Sequence, residues 1–173
     1  TTGSGSTSTS THSSTPTTKS TSTAKVVKVN PLHASCTTLL DNHDIKEALG
    51  ATVSSASSRI VDVANPDVKM TGRIKCYYGV KTGSDAHPVA VALAQYGSAA
   101  AANAQLGVTV QSEAGLGADS STVTVSGHPA HVLLRDGGLL VMRYDTWTLS
   151  IAVQDKLASA SKLPGGLKQL ATM

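Results

Sequence analysis

The chain has 173 residues, with 14 Lys and Arg against 11 Asp and Glu, no Phe, one Trp and four Tyr. So few aromatic rings leave little on which bases could stack, and no cluster of four or more basic residues occurs, so nucleic acid is not an expected partner. The longest apolar runs are strand-sized, too short for a transmembrane helix.

In residues 1–23, 18 side chains are Ser or Thr and none is aliphatic. Such a stretch cannot bury enough apolar area to offset its conformational entropy. Residues 1–24 are therefore expected to be a disordered Ser/Thr-rich tether, and 25–173 a single α+β domain. Without Lys19 and Lys25 the charge is nearly balanced, 12 basic against 11 acidic residues. The first residue is not Met and no signal peptide remains, so a processed, outward-displayed chain is expected.

The elements follow in chain order. Asp41 or Asn42 can cap a helix carrying Ile45, Ala48 and Leu49, with Gly50 as its terminating glycine. Asp41, His43, Asp44 and Glu47 then read as the cap and wet face of that helix rather than a metal cluster. "NPD" at 65–67 is a turn. "RIKCYYGV" alternates, placing Ile74, Cys76, Tyr78 and Val80 on one face of a strand. "KTGSDAHP" is a loop and "VAVALAQY" a second strand. "GSAAAANAQL" is a helix with Ser98 as N-cap, its small residues suited to close packing. "QSEAGLGADSS" reads as a loop and "STVTVSG" as a third strand. "HVLLRDGGLLVMRY" is a hairpin turning at Asp136-Gly137, "WTLSIAVQ" another strand, and "LPGGLKQLATM" a last short helix. The sum is an α+β fold, an antiparallel β-sheet with short helices packed on one face.

Two cysteines occur, Cys36 and Cys76, with no C-x-x-C. An even count outside the cytoplasm reads as a disulfide. Free structural thiols are the alternative. Zinc would need more ligands at tighter spacing, and Cys36 precedes the helix cap rather than sitting at it, as a nucleophile would.

Cys-Thr-Thr-Leu-Leu at 36–40, Leu49-Gly50 and Cys-Tyr-Tyr at 76–78 resemble a family of uncharacterised secreted actinobacterial lipoproteins. Further on, "QYGSAAAANAQL", "VTVSGHPA" and "LKQLATM" follow the order of that family's pattern. The resemblance spans most of residues 32–173. It implies a fold like the PsbP and Mog families and a chain held at the membrane by an acylated cysteine just before Thr1. It brings over no catalytic residue and no cofactor.

Other candidates are ordinary by comparison. His128 and His131 are three apart, would face opposite sides on a strand, and read as loop histidines beside Pro129, as does His87 before Pro88. There is no G-x-S-x-G elbow, no G-x-G-x-x-G and no phosphate loop. No catalytic residue, metal or cofactor is therefore expected. Three classes remain: a tethered, non-enzymatic binding or accessory module, a structural or antigen-like envelope protein with no small ligand, and an unrecognised hydrolase. The first is the expectation, with an envelope protein or an apolar ligand as partner. One sheet face covered by only a few short helices can leave a groove lined by Val, Leu and Ala, with Tyr78 or Trp147 at its edge.

Overall fold

The computed structural model describes residues 1–3, 30–79 and 87–173. The expected tether beyond residue 3, the apolar segment 25–29 and Val80 lie outside the described residues.

Local sequence signals explain most of the elements. After a short 3₁₀ turn (Pro31–His33) come a single helical turn α1 (Cys36–Leu39) and helix α2 (Asn42–Leu49). Asp41 caps α2. Its carboxylate accepts from the Asp44 amide at 2.9 Å, and the Asp44 carboxylate accepts from the Asp41 amide at 2.8 Å. Gly50 ends α2 at φ 71°, a left-handed conformation that costs glycine nothing. Strands β1 (Ser57–Asp62), β2 (Met70–Tyr78) and β3 (Val89–Tyr96) follow. Between β1 and β2, Asn65 opens the Pro66–Val68 turn by accepting from the Asp67 amide.

Helix α3 (Ala99–Gly115) starts at Ser98, whose hydroxyl accepts from the Ala101 amide at 3.1 Å. It then runs through the segment expected to be a loop as far as Gly115. Strands β4 (Asp119–Val125), β5 (His128–Leu134), β6 (Gly137–Tyr144) and β7 (Trp147–Gln154) form a meander, and α4 (Leu163–Leu170) closes the chain. Ser126 and Gly127, both at positive φ, make a two-residue hairpin turn between β4 and β5. His128, Pro129 and His131 thus lie in a strand, not in a loop. The β5–β6 ladder begins only at Ala130, so the N–H that Pro129 lacks is not missed there.

The seven strands form one antiparallel sheet in the order β1-β2-β3-β7-β6-β5-β4. Strand periodicity makes its two faces different. On one face a row of directly opposed residues crosses five strands: Cys76, Val91, Ile151, Leu140 and Val132. All five are buried. Ile45 and Leu49 of α2 and Leu163, Leu167 and Leu170 of α4 lie over this face in the same core. The helices meet closely at Gly166, where a Cβ would come within 2.6 Å of Leu49 Cδ2 and 2.8 Å of the Ala48 carbonyl oxygen.

The other face carries Arg73, Lys75, Ala92, Ala94 and Ser150. Helix α3 packs there, with Ala102 fully buried against Ala94 and Tyr96. The α+β class and the antiparallel sheet are as the sequence reads, but the placement of all helices on one face is corrected. Ala and Ser on β3 and β7, meeting Ala on α3, allow a close approach, while Leu133 and Val141 are buried on the same face further along the sheet. Beyond α3, Arg73 Nε donates to the Asp62 carboxylate at 2.6 Å across β1 and β2, which holds that carboxyl below its ordinary pKa.

Candidate functional site

The row of residues next to the buried one decides where the sheet stays open. Ile74, Leu93, Leu149, Met142 and Ala130 oppose one another across β2, β3, β7, β6 and β5. One step further toward the strand ends, Gln95 faces Trp147 and Trp147 faces Tyr144. Ala171, just past the end of α4, and Asn30 and Pro31, at the first 3₁₀ turn, border this part of the sheet. Between these borders lies a cleft of about 920 Å³.

Its apolar lining comes from Leu93, Val125, Met142 and Leu149. Polar edges come from Gln95, Ser126, His128, Tyr144, Asp145 and Trp147. The residues on β3, β7, β6, β5 and β4 make the cleft cross five neighbouring strands, a span of about 19 Å at the usual inter-strand spacing. Val125 and Met142 form a buried floor, whereas Tyr144 is 60% exposed at the rim. His128 and Tyr144 meet edge to face, ring centroids 4.9 Å apart at 90°.

The sequence-derived groove residues part company here. Trp147 lines the cleft. Tyr78 does not. It is 2% exposed, beneath α1, and its hydroxyl donates to the Cys36 carbonyl oxygen at 2.7 Å. Alternation along "RIKCYYGV" points Tyr78 to the correct face, but β2 meets α1 at that end of the sheet and the cleft lies at the other. Burial, reinforced by the charge of Asp44, pushes the Tyr78 phenol above its ordinary pKa.

Cys36 and Cys76 are joined in a disulfide with Cα atoms 5.4 Å apart. It fastens α1 to β2 near the C-terminal end of that strand. A disulfide points to an oxidising, extracytoplasmic environment. No helix among the described residues is long and apolar enough to cross a membrane.

The histidines take separate places. His128 sits in the cleft, while His131 lies on the opposite face of β5, opposed to Val141. They do not converge as a ligand pair. His87 stacks on Tyr77 with centroids 4.2 Å apart and lines a separate hollow of about 240 Å³ beside Glu113 and Arg135. Ligand atoms of Asp41, His43 and Asp44 lie within 4.8 Å of one another. The reciprocal cap of α2 accounts for that cluster, since both carboxylates already accept backbone N–H groups.

Sequence reasoning missed Tyr144, Asp145 and the part played by His128. A signal was present. "YDTW" puts two aromatic residues on either side of a two-residue turn, which makes them a cross-strand pair on one face. Compared with family models and with curated proteins, the chain matches none.

Proposed function

We propose that this protein is a non-enzymatic binding module of the cell envelope, tethered outside the membrane, that takes up an apolar ligand such as an acyl chain. The observation that carries this reading is the cleft. It is larger than the roughly 300 Å³ at which ligand sites begin, mostly apolar on its floor, and edged by a few polar groups that can orient a guest. The disulfide supports an extracytoplasmic setting. The resemblance to secreted actinobacterial lipoproteins supports a lipid anchor ahead of the chain and a tether in its Ser/Thr-rich residues.

Trp147 is the sole tryptophan and lines the cleft, so its fluorescence reports occupancy without a label. Protein purified from its own host should carry a lipid adduct in native mass spectra that organic extraction removes. The extracted protein should then change its Trp147 emission when titrated with a long-chain acyl compound. Absence of both the adduct and the emission change would remove the ligand reading and leave an envelope protein acting through its surface. Turnover of a generic ester or peptide, lost on changing one Ser or His, would overturn the non-enzymatic reading.

A further inference from the structure

Resting on that reading, the composition of the rim specifies the headgroup. Tyr144 and Trp147 oppose each other across the β6–β7 hairpin, on the cleft side of the sheet. His128 stands against Tyr144 edge to face, so two ring planes meet at a right angle. Asp145, at the tip of the same hairpin, has the only carboxylate lining the cleft among the described residues. Among the described residues no Lys or Arg lines it. Arg143 is the nearest cation along the chain, but it belongs to the other face, and its guanidinium donates to the Asp145 backbone carbonyl at 3.1 Å rather than to the carboxylate. Among the described residues no cation pairs with that carboxylate within 4.0 Å.

Aromatic faces attract cations through their quadrupoles, and a nearby carboxylate adds to the attraction. An anionic headgroup would meet the Asp145 carboxylate, and among the described residues no Lys or Arg lines the cleft to offset it. We infer that the rim is a headgroup site for a cationic amphiphile of the quaternary-ammonium type. Its cation sits among Tyr144, Trp147 and His128 beside Asp145, and its alkyl chain lies on Leu149 and Met142. The hydrophobic floor supplies most of the affinity and the rim supplies the choice of charge.

The test uses three ligands with the same twelve-carbon chain below their micellar concentrations: dodecyltrimethylammonium, dodecyl maltoside and dodecyl sulfate. Binding to the full chain is read from Trp147 emission, with near-ultraviolet circular dichroism to confirm that the fold is kept. The ammonium ligand should bind about tenfold more tightly than the neutral one, and the sulfate more weakly than both. Asp145→Asn should preserve the turn, because Asn tolerates the positive φ of 50° found there. It should erase most of the preference, because ammonium binding weakens far more than maltoside binding. Tyr144→Ala, at an exposed ring, should weaken ammonium binding more than maltoside binding. Equal binding of all three ligands, a preference for sulfate, or a preference that survives both substitutions would overturn the headgroup assignment and leave the acyl reading standing. Failure of all three ligands to bind would overturn both.

Discussion

Replacing both cysteines, Cys36→Ala with Cys76→Ala, should cost this protein about 4 kcal/mol. The bond closes a loop with a sequence separation of 40. In the chain-entropy description, a loop of that length withdraws about 13 cal/mol/K from the unfolded ensemble, or about 4 kcal/mol at room temperature. Alanine is the right replacement. Cys76 is fully buried, and a serine hydroxyl there would add a polar burial cost that has nothing to do with the cross-link. For a chain of this size the loss corresponds to a drop of about 8–16 °C in thermal midpoint. Urea unfolding should give a lower midpoint with a steeper slope, because the uncrosslinked unfolded chain exposes more surface. Amide exchange should locate the first loss of protection at α1, a single turn too short to persist by itself. Wild-type protein unfolded without reductant should show no reactive thiol. A stability change under about 1 kcal/mol, or two titratable thiols in unreduced protein, would refute the reasoning.

Two more outcomes follow from the same core. Tyr78→Phe should cost about 1 kcal/mol, because the Cys36 carbonyl oxygen keeps its bond from the Leu40 amide when the phenol is lost. The phenol's folded pKa is raised, so its stabilising contribution is complete below the ordinary tyrosine range near pH 10 and declines as pH rises past it. The variant should therefore show a shallower alkaline loss of stability in denaturant melts at stepped pH. Gly166→Ala should destabilise by about 1–3 kcal/mol in the same melts, since the added methyl meets Leu49 and the Ala48 carbonyl with no room to retreat. A neutral result there would mean that α2 and α4 are not clamped together.

Much of this protein is decided locally and can be read without its fold. The cap at Asp41, the αL glycine at Gly50, the Ser98 cap and the strict alternation of "RIKCYYGV" and "WTLSIAVQ" each depend on neighbours within a few residues. That is the range over which capping and strand period act. The pairing of Cys36 with Cys76 was also within reach, because only two cysteines exist. Strand β1 is harder to read, since Ile60 and Val61 are adjacent and both stay exposed at the sheet edge. Which face α3 would cover was not legible, because its Ala-rich surface has no sharp apolar stripe. The cleft lay furthest from sequence. Trp147, Tyr144, His128 and Leu93 come from four strands and meet only once register is set and α4 stops short of the strand ends. Tyr78 and Trp147 both point to the helix-covered face of the sheet, yet one is sealed under α1 and the other lines a cleft. Strand period assigns a side chain to a face, but only the packing of distant segments determines whether that part of the face is covered.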